Sequence, residues 1–256
     1  MRTRESLKAE AKDLLRDNWW SGISLNTIPY LIVNILVAAV SWLAFSPFLL
    51  PLVGLGLLQD TYTDTTGVSD IGLILGGIVL GVIIFVLSIL ISFATNIVTI
   101  GIAASNLDWV KTGDASDAGL AKAFRYFSTK DFWKVFVLSL KQVLYIWLWS
   151  LIPVVGPIIS FVKALAYSQT AYIYRQKGDV LTSGEIITES RKLMDGNKLD
   201  YFVLQLSFIG WLILSTLSFG IGLIWLVPYY NMTLAVYHKD LRESAAVIEV
   251  NSQSKF

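Results

Sequence analysis

The chain contains no cysteine. That excludes disulfides and thiolate chemistry, and it leaves the redox compartment undetermined. It has a single histidine, His238, with no Cys or His companion, so a zinc site is not expected. Charge is scarce. Only 15% of residues are Asp, Glu, Lys or Arg, against about 25% in ordinary soluble domains. The net charge of +1 gives no reason to expect a nucleic-acid partner. No carboxylate falls inside the long apolar runs. The sequence also lacks His-Glu-x-x-His, a phosphate-binding Gly-Lys-Ser/Thr loop and Gly-x-Ser-x-Gly. No catalytic residue, metal or cofactor is therefore expected, and an enzyme is disfavoured. The N-terminus lacks a short apolar core followed by a cleavage site, so a removable signal peptide is not expected.

What the chain does have is apolar surface, 55% of its residues. Ile23 to Leu58 and Ile71 to Leu107 are free of charge, and each exceeds the roughly 20 residues that one span needs. The first span is expected near Ile28 to Phe45. Pro47, Pro51, Gly54 and Gly56 are then expected to interrupt it, leaving a short outer or re-entrant segment before the acidic stretch Gln59 to Asp70. In the second span, Gly77 and Gly81 have the small-xxx-small spacing that lets helices approach closely. A central hairpin follows, from Asp131-Phe132-Trp133-Lys134 through Pro153 to Pro157 and back to Arg175-Gln176-Lys177-Gly178-Asp179. Tyr201 to Phe219 is a fifth span, Gly220 to Gly222 a turn, and Leu223 to Tyr237 the core of a sixth.

Polar helices precede these hairpins. Leu7, Ala11, Leu14, Leu15 and Trp19 share one helical face, with Lys8, Lys12 and Arg16 off that stripe. Such a helix suits either the membrane surface or the protein's own cytoplasmic side. Leu120, Ala123, Phe124 and Phe127 keep the same spacing after a cap expected at Ser116. Thr182-Ser183-Gly184-Glu185 fits a capping box. Ile186, Ile187, Leu193 and Met194 form the face behind it, and Gly196 is a stop.

The chain thus reads as one membrane domain, 1–256, built of three parallel repeats at about 1–113, 114–178 and 179–242, with a polar tail at 243–256. Each repeat is an amphipathic helix, an aromatic approach, a span, a Pro/Gly turn and a returning span. The exits Val110-Lys111-Thr112-Gly113-Asp114 and Arg175-Gln176-Lys177-Gly178-Asp179 resemble each other. Lys and Arg occupy the lead-ins, exits and tail, and the three opposite loops hold none. Short basic loops stay in the cytoplasm, so both termini are expected inside a bacterial cell membrane. The fold class is all-α, with six transmembrane helices.

Two charges lie within the expected spans, Lys141 and Lys163. Lys141 is seven residues beyond Lys134, roughly 10 Å deeper by the helical rise. Lys163 is twelve residues from Arg175, roughly 18 Å, which places it near mid-bilayer. A cation at that depth costs about 2.5–3.5 kcal/mol on insertion scales and normally faces the bundle interior or water. Both lysines are therefore candidates for an anion site that takes a lipid phosphate or a substrate carboxylate. The alternatives are snorkelling for Lys141 and bonds to turn carbonyls for Lys163. Asn34, Asn96, Gln142, Gln169, Gln205 and Asn231 are expected to be interhelical glue.

Two stretches carry a resemblance. One is Ser6-Leu7-Lys8 with Ala11-Lys12 and Asn18-Trp19. The other is Ser190-Arg191-Lys192-Leu193-Met194-Asp195-Gly196-Asn197-Lys198, with Leu204-Gln205-Leu206-Ser207-Phe208-Ile209-Gly210-Trp211 and Pro228-Tyr229. These resemble a family of integral membrane proteins of Gram-positive bacteria known only as a domain of unknown function. That family is in turn similar, distantly, to the membrane portion of some glycerophosphodiester phosphodiesterases. The resemblance implies a multi-span membrane protein with a leaning toward lipids. It brings no activity and no catalytic residue. Two functions are expected from different classes. One is a non-enzymatic protein that binds or moves a membrane lipid or other amphiphile at Lys141 and Lys163. The other is an accessory or immunity-type protein that works through a membrane protein partner.

Overall fold

The computed structural model describes residues 2–58, 70–116, 118–127, 130–153 and 155–253. Within its helices it leaves out the side chains of 43–58, 70–77, 249 and 251–253. Among the described residues every regular element is helical, as the composition implies. The helices are α1 (Arg4–Leu15), α2 (Trp19–Leu58), α3 (Asp70–Thr112), α4 (Leu120–Ala123), α5 (Phe132–Ser150), α6 (Gly156–Tyr167), α7 (Thr170–Lys177), α8 (Ser183–Leu193), α9 (Lys198–Leu206), α10 (Ile209–Leu217) and α11 (Leu223–Gln253). The chain forms two compact units, Met1–Pro29 with Asn96–Phe256, and Tyr30–Thr95.

Four helical stretches are long and apolar enough to cross a membrane: Trp19–Trp42, Ile78–Thr112, Phe132–Ser150 and Lys198–Leu217. Their large side chains point outward, as at Phe85, Leu148 and Trp211. A helix that exposes this much apolar surface is matched to lipid rather than water. The two segments expected to be returning spans, around α6 and α11, are not among these four. At 12 residues α6 is about 18 Å long, short of a hydrocarbon core of about 30 Å. It gives way to α7 at Ser168-Gln169. In α11, Pro228 lies inside the helix.

Each interruption is matched by a side chain from another helix. Proline has no N–H, so Pro228 frees the carbonyl of Ile224, four residues back. The Thr27 hydroxyl of α2 donates to that carbonyl at 3.0 Å. The apolar stretch Lys198–Leu217, expected as a fifth span, breaks between α9 and α10. There the Ser207 carbonyl accepts from Lys8 Nζ of α1 at 3.2 Å, and the same ammonium sits 4.3 Å from the Phe208 ring centroid. A broken helix in an apolar layer must find partners for its freed carbonyls, and α1 supplies one.

The first unit has its core where the polar helices meet the apolar ones. Leu7, Ala11 and Leu15 of α1 are buried against α11, and Leu14 and Trp19 are half-buried at the edge of the cluster. The expected face of α1 is therefore the one used. The face of α8 is used likewise, through Ile186, Ile187 and Leu193. Its capping box forms, because Glu185 accepts from the Thr182 amide at 2.8 Å and Thr182 accepts from the Glu185 amide. Gly196 closes the segment with φ +75°, a conformation that favours glycine.

The lead-in of the central hairpin departs from expectation. No cap forms at Ser116. Its amide and hydroxyl donate to Asp114 instead, and α4 is one turn that starts after Gly119. Gly101 explains how that turn is held. A Cβ there would meet the Ala123 carbonyl oxygen at 2.2 Å, so only glycine admits the contact.

In the unit Tyr30–Thr95, polar side chains bond back to their own helices. Asn34 donates to the Tyr30 carbonyl at 2.7 Å, and Ser88, Ser92 and Thr95 donate to carbonyls one turn earlier. Asn34 therefore acts within its own helix there. A Cβ added at Gly81 would meet nothing within 4 Å, so the close approach suggested by its spacing is not made at that residue. The helix α2 runs unbroken through Pro47 and Pro51 to Leu58 rather than stopping. Proline inside an apolar helix is tolerated where neighbours re-satisfy the backbone. The acidic stretch from Gln59 lies outside the described residues up to 69, as does Val154 of the central turn.

Candidate functional site

The two lysines singled out by depth have different surroundings. Lys141 is half-buried on α5. Its neighbour Gln142 reaches α7 and accepts from the Thr170 hydroxyl at 3.1 Å. Lys163 is half-buried on α6, with Nζ 5.1 Å from the Trp149 ring centroid. A cation over an indole face is favourable by about 0.5–1 kcal/mol at exposed sites and more when desolvated. Lys163 also lines a hollow of about 350 Å³, and Lys141 is not among the residues around it.

The amphipathic helix α8 builds the rest of this hollow. It packs against α5 and α6 through its apolar face, and the Ser190 hydroxyl donates to the Ala166 carbonyl at 2.8 Å. That contact fixes the last turn of α8 beside Lys163. Arg191 and Lys192 project from this turn, and Lys198 follows at the start of α9 after the Gly196 turn. Four cations, Lys163, Arg191, Lys192 and Lys198, thus line one hollow with a single carboxylate, Asp195. Asp195 is largely exposed and pairs with Lys198 at 3.6 Å. Thr188 adds a hydroxyl, although that group already donates to the Gly184 carbonyl at 2.9 Å. Val162 and Ala166 provide an apolar wall. Excess positive charge beside an apolar wall is the chemistry that holds an anion attached to hydrocarbon.

The buried polar groups elsewhere tie helices together. Asn231 donates to Asn26 Oδ1 at 3.1 Å and Asn106 donates to the same oxygen at 2.7 Å, joining α11, α2 and α3. Asn26 and Asn106 escaped notice in the sequence because they sit at the ends of the apolar runs. Gln169 accepts from His238 Nδ1 at 2.9 Å, and Gln176 lies 3.2 Å from Nε2. The Gln169 amide donates to Ser168, which leaves its oxygen to accept from Nδ1–H. With the proton on Nδ1, Nε2 is left to accept from the Gln176 amide, and the Tyr172 ring stacks on the imidazole at 4.8 Å. Burial pushes its pKa down to about 3, with Arg242 and Lys111 adding like-charge repulsion.

Two arginines, one after α4 and one on α7, flank one aspartate near the end of α3. Asp108 on α3 accepts from Arg125 at 2.9 Å and from Arg175 of α7 at 2.9 Å. Arg175, the first residue of the second exit, thus bonds two positions before the start of the first, Val110.

Against known proteins, the model of a family described as a protein of unknown function (DUF975) matches residues 157–245. The match covers roughly a third of the chain. It runs from the start of α6 to the middle of α11 and contains every residue that lines the basic hollow. No curated protein and no solved structure matches the chain.

Proposed function

We propose that this chain is a non-enzymatic integral membrane protein that holds the anionic headgroup of a membrane lipid or similar amphiphile. The observation that carries the reading is the charge of the α6–α8 hollow, four cations against one carboxylate beside an apolar wall. Each Lys or Arg near an anionic surface contributes about 1 kcal/mol of attraction, so this cluster favours an anionic over a zwitterionic head. Lys163 is the inner cation, and Arg191, Lys192 and Lys198 form the outer rim. Lys141 belongs to the reading as a second, separate cation, supported only by its position on an apolar helix.

The wider arrangement belongs to the same proposal. The three hairpins cross a bacterial cell membrane as six spans in three parallel repeats, with both termini cytoplasmic. The absence of Lys and Arg from the loops at Pro51 to Asp70, Pro153 to Pro157 and Gly220 to Gly222 supports this sidedness. The crossing by the second hairpin then requires α6 and α7 to act together, because α6 alone is short.

The test is lipid mass spectrometry on protein extracted in mild detergent, wild type beside Lys163→Gln/Arg191→Gln. An anionic lipid retained by wild type and lost by the double variant supports the reading. Equal retention, or no retained anionic lipid, overturns it.

A second reading has its own observation. Beyond the hairpins α11 continues to Gln253 and leaves Val247, Ile248 and Val250 exposed. An unpartnered apolar stripe on a helix favours an accessory role through a partner protein. That reading predicts that truncation after Ser244 removes function and spares lipid retention.

A further inference from the structure

We infer a second ligand site, independent of the basic hollow: an indole-lined slot that takes one hydrocarbon chain of a single-chain amphiphile with an anionic head. The slot measures about 740 Å³, within the range of roughly 300–1,000 Å³ usual for small-molecule sites. One wall is the corner between α1 and α2, carrying Lys12 and Trp19. The other is the α10–α11 hairpin, carrying Trp211, Leu214, Trp225 and Tyr229. Its surface is overwhelmingly apolar.

Two features specify the occupant. Trp211 and Trp225 are 57% and 50% exposed although they face this slot, so nothing in the protein covers them. Rigid indoles with that much uncovered ring offer contact to a chain at little entropic cost. The charge is one-sided. Lys12 lines the slot, and no ion pair to it is found among the described residues, whereas Glu10 on the same helix is held by both Arg2 and Lys239. The serine hydroxyl at 218 is already committed, donating to the Ser215 carbonyl and accepting from the Gly222 amide. One apolar chain with one negative head matches this lining.

The corner that forms the first wall is itself fixed. A Cβ at Gly22 would come within 2.6 Å of Leu15 Cδ2, so α1 and α2 meet at a glycine contact. Lys8 anchors α1 to the α9–α10 break, and Arg2 anchors its start to Asp240. The slot therefore exists before the ligand arrives, which lowers the cost of binding.

The experiment uses the full chain in phosphatidylcholine nanodiscs with a diazirine-bearing palmitic acid as the probe. Cross-links are mapped to peptides by mass spectrometry. Saturable labelling between Ile209 and Leu226 is expected, with oleate or lysophosphatidylglycerol competing at least about tenfold better than oleyl alcohol. The better of those two competitors identifies a carboxylate or a phosphate head. Lys12→Gln, a change at an exposed side chain, should reduce the acid's advantage to the level of the alcohol. Lys163→Gln should leave the labelling unchanged, which separates this site from the basic hollow. Labelling spread evenly onto the outward face of α5, or an acid advantage that survives Lys12→Gln, would overturn the inference.

Discussion

His238 lies just past the apolar run of α11 and is fully enclosed, so its charge state is coupled to folding. Burial, with Arg242 and Lys111 nearby, pushes its pKa down to about 3, and an unfolded histidine titrates near 6.5. Between those values the unfolded chain binds a proton that the folded chain refuses. Stability is complete above about pH 6.5 and falls as the pH drops, and the loss stops growing near pH 3. At pH 5 the loss is about 2 kcal/mol, from about 1.4 kcal/mol for each of about 1.5 pH units. For a chain of this size that corresponds to a fall of about 4–8 °C in Tm. Carboxylates interfere little in this window. Partial burial raises Glu189, but hydrogen bonds from Lys177 and Arg242 hold it below its usual range. The assay is thermal unfolding in detergent at pH 7 and pH 5, followed by tryptophan fluorescence, on wild type and His238→Asn. The variant should be less stable at pH 7, since it loses the Tyr172 stack, yet it should lose the pH dependence. A wild type with the same Tm at both values, or a variant that keeps the full slope, would refute the reasoning.

Thr27→Val should destabilise by about 1–3 kcal/mol, because it leaves the carbonyl freed by Pro228 without a donor in an apolar setting. Thr27→Ser should recover most of the lost Tm. A reporter fused near Pro153 should read as extracytoplasmic in cells, and a cytosolic signal would remove the six-span arrangement.

Much of the fold can be read locally, because helical spacing and caps are properties of short stretches. The faces of α1 and α8 and the capping box at Thr182 are cases in point. The departures come where a distant residue decides. The α9–α10 break is stabilised by Lys8, about two hundred positions away in the chain, and Pro228 is tolerated because Thr27 faces it. Prolines at 47 and 51 looked like stops because proline weakens isolated helices, yet α2 continues through them. The basic hollow was half legible. Depth along α6 marked Lys163 as unusual, but only the packing of α8, fixed by Ser190 on Ala166, brings Arg191 and Lys192 to it. A sequence cannot show that two cations thirty residues apart share a wall. It could have shown that Arg191-Lys192 ends an amphipathic helix whose apolar face must pack on something.

The basic hollow can be tested directly because the chain has no native thiol. Thr188→Cys places one thiol in the hollow, and Ser116→Cys places one in a separate polar region. Their maleimide labelling rates can be compared in nanodiscs of phosphatidylcholine alone and with added phosphatidylglycerol. The account predicts that phosphatidylglycerol slows labelling several-fold at position 188 and leaves position 116 unaffected. Equal rates at position 188 in the two bilayers would contradict it.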